Sequence, residues 1–512
     1  MATAVQPHAR GAAPFDMSGI ERGPDGIARY ADRPASLIEL LRTSVERSPQ
    51  ATAIVEVDGP SLTYRELWDG AARVAGGLRA DGVGRGDRVA IRLPNGADWV
   101  LAFWGALMAG AVVVPVNMRF KDAEVNYVVD DSGSRFVFTA GSALPDGEPH
   151  VADDLEPDDL AAIFYTSGTT GFPKGAMTSH ANFLANSETA NRVIAIDRDM
   201  GSDLRTLVSV PLFHVTGCNS QLIPVLELGG IVEIMRAPDI GRLLEVVARD
   251  GLNQLVSVPA IYFAAINHPS FGDHDFSHVR WISYGGAPIA PALVRQLMER
   301  FPGARLGNGF GQTETASIAT FLPHEDAVDH PDSVGYAAPV VDLAVDAPDA
   351  ETGVGELLIR GPNVVRGYWN KPEATEATFV DGWVHTGDLA RIDDDGRTYI
   401  VDRAKDMINR GGENVYSVEV ENALAGAPGL AEAAVVGVPD DMMGEKVGAV
   451  CVPLPGATID PKAIAAHVGG QLADFKVPQY VAVRTEPLPR NAGGKILKKE
   501  LRDATDWGAP LR

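Results

Sequence analysis

From Leu37 onward the chain alternates two hydrophobic rhythms. Residues 37–48, 64–81 and 290–300 place apolar side chains at helical spacing. Short Val/Ile-rich runs between them, at 87–93, 206–210 and 230–234, read as strands. The alternation predicts an α/β fold with helices packed on largely parallel sheets. Residues 99–116 carry no charge, which approaches the length of a membrane span. Gly105, Gly110 and Pro115 interrupt that stretch and 112–116 has strand composition, so it predicts a buried helix running into a buried strand.

The rhythm changes after about residue 381. Apolar runs at 389–393 and 397–401 flank Asp395-Gly396, a hairpin signal. A helix at 418–425, strands at 433–438 and 447–453, and a helix at 464–472 follow, enough for a separate α+β domain. The expected division is a loosely ordered arm (1–35), a large N-terminal domain (36–404) and a small C-terminal domain (405–512). The Pro/Asp/Glu-rich stretch 145–159 reads as an exposed acidic connector.

At 512 residues the chain exceeds what one core supports, in line with two or more domains. Its net charge of -24 argues against nucleic acid as a partner, although a small polyanion needs only a local cluster. Cys218 and Cys451 are the two cysteines; far apart in sequence, they suggest a reducing compartment. The first residues lack an apolar secretory core. A soluble, cytoplasmic protein without a membrane span is expected.

The chemistry concentrates in short stretches. YTSGTTGFPKG (165–175) combines three glycines, two hydroxyl pairs and Lys174. Bare backbone amides can form a nest for phosphate oxygens, and the lysine adds a point charge. The stretch does not fit GxxxxGK[ST], because Pro173 stands where the second glycine belongs. PLFHVTG (211–217) puts His214 after an aromatic at the end of a predicted strand. GNGFGQTET (307–315) joins glycines, an aromatic, hydroxyls and Glu314. HTGDLA (385–390) offers Asp388 in a tight turn, and LPRNAGGKILKKEL (488–501) places Lys495 after a Gly-Gly pair. Taken singly, each has a plain structural reading: a satisfied histidine, a helix-start carboxylate, a turn cap, a solvated lysine face. Cys218, four residues after His214, reads as packing.

Their order is specific. Together with VDRAKDMINRGGENVYSVEVE (401–421), these stretches resemble the adenylate-forming superfamily of acyl-CoA synthetases, adenylation domains and luciferases, over about residues 37–501. The resemblance implies a large adenylation domain of helix-covered, mostly parallel sheets and a small mobile α+β domain. It also implies ATP and Mg²⁺ as cofactors and CoA as co-substrate. Thr166, Ser167, Gly168, Thr169, Thr170 and Lys174 match the loop that closes over the β- and γ-phosphates. Thr313 matches the α-phosphate hydroxyl and Glu314 the Mg²⁺ carboxylate. Gly286, Ala287, Pro288, Asn308 and Phe310 match the adenine site, and Asp388 with Arg403 the ribose site. Lys405 falls at the hinge, and Lys495 matches the lysine that the small domain delivers. Gly411 and Gly412 match the pair that opens a pantetheine tunnel. Ser417 departs from the pattern, since many relatives have proline there, and is expected to alter loop stiffness only.

The acid is narrowed by what the matching positions carry. His214 and Val215 stand where amino-acid-activating members place an aspartate, and the stretches expected to line the acyl pocket hold no arginine for a second carboxylate. The resemblance thus implies activation of an apolar monocarboxylic acid (fatty, aryl or bulky polycyclic) to acyl-AMP, with release of pyrophosphate and transfer to CoA. His214, Val215, Tyr262, Tyr284, Gly285 and Gly309 are expected around the acid. Some relatives instead hand the acyl group to a carrier protein or partner enzyme, and a non-catalytic binding protein on the same fold is the alternative from another class. A homodimer is a common state for soluble enzymes of this size.

Overall fold

The computed structural model describes residues 5–8, 14–166, 172–287, 289–491 and 495–511. A nine-stranded sheet forms the centre of the large domain. Its interior strands Thr52–Glu56, Ile231–Ile234, Arg205–Val208, Gln254–Ser257, Trp281–Gly285 and Arg305–Phe310 run parallel, with antiparallel partners at both edges. A second sheet joins Ser134–Thr139, Arg88–Arg92, Val112–Pro115, Leu160–Thr166 and Lys174–Ser179.

The main core lies between these two sheets and is filled by helices. Helix Ala97–Met108 puts Trp99, Phe103 and Trp104 there with no exposed surface. Full burial of such side chains stabilises by roughly 2–3 kcal/mol each. The charge-free run from 99 to 116 is therefore this helix and the strand Val112–Pro115, buried on both faces. Among the described residues no helix is long and apolar enough to cross a membrane. Helix Tyr64–Ala80 packs so closely on it that a Cβ at Gly105 would lie 2.5 Å from Val74 Cγ1.

A second core fills the other face of the nine-stranded sheet, beneath helices Ile240–Arg249, Pro259–Ile266 and Pro291–Arg300. Strands Asp342–Asp346, Gly355–Arg360, Phe379–Val380, Trp383–Ile392 and Thr398–Arg403 form an antiparallel sheet beyond it. The next core begins at Ile408. It is built from strands Ile408–Arg410, Glu413–Val415, Leu430–Asp440, Gly444–Pro453 and Tyr480–Val483, with helices Ser417–Leu424 and Pro461–Gly469 against them.

Two segments differ from the sequence reading. Within the expected loose arm, Ile20–Arg22 and Ala28–Tyr30 pair as a hairpin. Arg22 bridges Asp342 at 2.8 Å, and the Tyr30 hydroxyl meets Thr189 Oγ1 at 2.8 Å, so long-range polar partners dock what local composition leaves unstructured. The acidic connector is not free either. Residues 145–148 lie against Gly76 and Gly77, where a Cβ on Gly76 would meet Glu148 O at 1.9 Å.

Candidate active site

Strands Leu160–Thr166 and Lys174–Ser179 pair antiparallel with Thr166 opposite Lys174. Ser167, Gly168, Thr169 and Thr170 lie outside the described residues. At the base Lys174 Nζ stands 4.2 Å from the centre of the Tyr368 ring, and the Tyr368 hydroxyl donates to Glu314 Oε1 at 2.6 Å. One tyrosine joins the anion loop's cation to the carboxylate. Glu314 sits in a 3₁₀ helix of one turn, Thr313–Thr315, followed by Ala316 and Ser317 at φ 50° and 119°. Such angles persist in non-glycine residues only where neighbours over-determine them. Buried amides do so here. Asn219 Nδ2 donates to Ala316 O at 3.0 Å, Asn363 Nδ2 to Ile318 O at 3.0 Å, and Ile318 N–H to Asn186 Oδ1 at 2.9 Å.

Asp388 and Arg403 face each other across adjacent antiparallel strands, with Asp388 Oδ1 3.1 Å from the guanidinium. Gln312 Nε2 donates to the other oxygen at 2.5 Å. Burial raises the Asp388 pKa, while Arg403, Gln312 and Lys495 act against that rise. The tight turn expected at HTGDLA is instead an irregularity inside the strand Trp383–Ile392. Gly387 takes φ 69°, and the register with strand Thr398–Arg403 shifts between Leu389 and Ala390. A glycine at positive φ lets an extended strand bend without ending.

Gly285 and Gly309 are register partners on parallel strands. A Cβ at Gly285 would stand 2.2 Å from Gly309 O, so only glycine allows this approach. Gly286, at φ 73°, and Ala287 are exposed just past the strand's carboxyl end, the edge at which open α/β sheets take ligands. Pro288 lies outside the described residues. Asn308 donates to Ser333 O at 3.0 Å, and Phe310 lies half-buried against the antiparallel sheet's core.

His214 is not at a strand end. Strand Arg205–Val208 stops six residues earlier, and His214 caps the short helix Val215–Gly217, its Nδ1 accepting from Thr216 N–H at 3.3 Å. Gly217 is required because a Cβ would meet Pro211 O at 2.5 Å. The imidazole is open to solvent yet crowded by protein. That crowding, then the charge of Lys495, lowers its pKa and favours the neutral ring. Val215 packs in the main core, whereas Tyr262 and Tyr284 pack in the second. Strand alternation explains the split: Trp281 faces one core, Ile282 and Tyr284 the other. Of the six residues expected around the acid, Val215 thus packs in a different core from Tyr262 and Tyr284. The Tyr262 hydroxyl donates to Ser283 O at 2.9 Å. Cys218 is fully buried with its thiol pKa pushed far up, which suits packing.

Lys495 comes from the small domain and stands at the same cleft. Its backbone exchanges hydrogen bonds with Asn491, at 3.0 Å to the side chain and 2.9 Å to the main chain. Although the side chain is exposed, crowding by surrounding protein, then the Arg403 guanidinium, lowers its pKa; Asp388 and Glu314 pull the other way. Lys405 lies in the connection between strands Thr398–Arg403 and Ile408–Arg410. Gly411 and Gly412 form the two-residue turn of the next hairpin at φ 63° and 95°, exposed to solvent. The structure thus brings together Lys174, Glu314, Asp388, Arg403, His214 and Lys495. Tyr368, Gln312 and the three asparagines were not singled out from the sequence. Each acts through a partner distant in the chain, and no local pattern marks such a pairing.

Comparison with known proteins agrees with this geometry. The curated relatives include a feruloyl-CoA synthase of Amycolatopsis sp, 39% identical over 479 residues, covering 89% of this chain and 96% of the relative. A long-chain-fatty-acid–CoA ligase of Mycobacterium tuberculosis is 34% identical over 91% of this chain and 97% of its own. Among solved structures, the o-succinylbenzoate CoA synthetase of Bacillus subtilis in complex with its acyl-adenylate superposes with a TM-score of 0.82. It is 28% identical, covering 92% of this chain and 99% of that one. The AMP-binding enzyme model matches residues 41–154 and 140–369, and the AMP-binding enzyme C-terminal domain model matches 419–495. Spanning both models, the chain belongs to the AMP-binding enzyme family.

Proposed function

We propose that this protein is an AMP-forming acid–thiol ligase that activates an apolar monocarboxylic acid with ATP and transfers the acyl group to CoA. The observation that carries the reading is Lys495. A cation from the small domain acts on Asp388, Glu314 and His214, all on the large domain. In the first step a carboxylate oxygen of the acid attacks the α-phosphorus of ATP, the bond to the bridging oxygen breaks, and pyrophosphate leaves. Two anions must approach, and Lys495 between carboxylate and phosphate offsets their repulsion. Asp388 accepts the ribose hydroxyls, with Arg403 and Gln312 holding its carboxylate in place. Neutral His214 borders the acid without adding a charge that an apolar acyl group could not pair. In the second step the CoA thiol attacks the acyl carbon and AMP leaves.

The donor set fits magnesium. Glu314 offers a hard carboxylate oxygen beside the anion loop, with Tyr368 fixing its rotamer. Magnesium is commonly held by one or two carboxylates plus phosphate oxygens. Bound there, the ion would supply charge neutralisation on the phosphates. The chain's own Lys174, carried on the base of the loop, supplies a second positive charge.

The relatives named above carry an aromatic acyl group in one case and a long aliphatic one in the other. The assay is therefore acid-dependent pyrophosphate release from Mg-ATP over a panel of fatty, hydroxycinnamic and polycyclic acids, each with and without CoA. Turnover sustained by CoA for one class is expected. Pyrophosphate without acyl-CoA would move the acceptor to a carrier protein or partner enzyme, and no release with any acid would overturn the proposal.

A further inference from the structure

Ser417, the position at which this chain departs from the family pattern, is fully buried at the first turn of helix Ser417–Leu424. Its N–H donates to Asp402 Oδ2, and its hydroxyl donates to Asp402 Oδ1 at 2.9 Å. The same hydroxyl accepts from Lys498 Nζ at 2.7 Å, and Lys498 pairs with Glu421 at 2.8 Å. A serine hydroxyl can donate and accept at once, so one side chain joins two charged residues, and Lys498 brings in Glu421 as a third. A proline at 417 would have neither the N–H nor the hydroxyl.

The placement of these groups gives the network its meaning. Asp402, 2% exposed, lies on the strand Thr398–Arg403 beside Arg403. Ser417 and Glu421 lie on the small domain's helix, and Lys498 is three residues beyond Lys495. Ile496 and Leu501, on either side of Lys498, pack with Ala434, Val450 and Leu488, so this segment moves with the small domain. The chain of bonds Asp402–Ser417–Lys498 therefore ties the segment carrying Lys495 to the strand carrying Arg403. Buried and hydrogen-bonded, it has a defined geometry that a surface ion pair lacks.

We infer that Asp402, Ser417 and Lys498 form a latch that seats Lys495 over the adenylation site, making them positioning residues for acyl-AMP formation. The inference rests on the reading of Lys495 given above. A displacement of about 1 Å at a reacting group can cost about 100-fold in rate. The latch residues are therefore expected to matter for the first half-reaction only.

The test uses full-length Ser417→Pro, Ser417→Ala, Lys498→Met and Lys498→Arg. Proline is well tolerated at the first position of a helix, so Ser417→Pro removes the bonds without breaking the element. With ferulate as probe acid, pyrophosphate release should fall by about 100-fold in Ser417→Pro and Lys498→Met, by less in Ser417→Ala, and recover in Lys498→Arg. Thioester formation from supplied feruloyl-AMP and CoA should stay within about twofold, whereas general loss of structure would lower both steps. Without any substrate, amide hydrogen exchange in residues 401–407 and 495–498 should quicken in Ser417→Pro. Wild-type pyrophosphate release in Ser417→Pro, equal loss of both steps, or unchanged exchange there overturns the latch. Lys495→Ala run in parallel separates the two readings. If it still adenylates, the role of Lys495 fails; if it does not while Ser417→Pro does, only the latch fails. Should Lys498→Met not fold, or wild type not accept ferulate, Ser417→Pro and its exchange pattern decide.

Discussion

His180 shows how a single side chain can set acid sensitivity far from any chemistry. It opens helix His180–Ile194, is 1% exposed, and its Nδ1 accepts from Leu37 N–H at 3.2 Å. Burial pushes its pKa down to about 4, against an opposing pull from Asp159. The unfolded chain, with an ordinary imidazole near 6.5, binds the extra proton more readily across that interval. Stability present above about pH 6.5 is thus lost as pH falls towards 4, by on the order of 3 kcal/mol. Urea titrations of wild type and His180→Gln between pH 4 and 7 should show a steep acid loss in the first and a shallower one in the second. Parallel curves would remove His180 from the account. The Leu37 partner is not legible at position 180, because it comes from a segment more than 140 residues away.

At the scale of elements, the hairpin of strands Ile408–Arg410 and Glu413–Val415 illustrates a motif whose form and use are separable. Two successive residues at positive φ make the mirror-image turn that suits strand twist, and glycine is the residue that takes it freely. A Cβ at Gly411 would lie 2.4 Å from Met443 Cε, while one at Gly412 meets nothing within 4 Å. Gly412→Trp should therefore fold, at a backbone cost of about 1–2 kcal/mol. If the pair opens the thiol's route, as the family resemblance implies, the variant should spare pyrophosphate release while slowing acyl-CoA formation at least tenfold. Normal acyl-CoA production by this variant would remove Gly412 from the thiol's route. Helices and strands of this kind were largely legible from periodicity, since each carries its signal within a few turns. The Asp388 bend was not. Gly387 reads as a turn residue, and only pairing on both sides keeps it in a strand.

For the whole molecule, the decisive relation is that of two domains across one cleft. Lys495 opens a segment that packs through Ile496 and Leu501 on the small domain's strands Leu430–Asp440 and Gly444–Pro453, yet its charge acts on His214, Asp388 and Glu314. Lys495→Ala should lower acyl-AMP formation by about 10²–10³. Thioester formation from supplied acyl-AMP should be largely unaffected, because that step needs no cation between carboxylate and phosphate. Equal loss of both half-reactions would contradict the role given to Lys495.

By itself the sequence determined the elements, the α/β class, the small α+β domain and the set of chemical groups, because periodicity, turn chemistry and ordered motifs are local properties of a chain. It also determined the absence of arginine from the stretches expected to face the acid. Only the tertiary structure decided which of those groups meet. It put Tyr368 between Lys174 and Glu314, sent Tyr262 and Tyr284 to a different core from Val215, and made Ser417 a junction between domains. The physical reason is the same in each case. Hydrogen bonds and ion pairs act over about 3 Å in space, with no regard to distance along the chain.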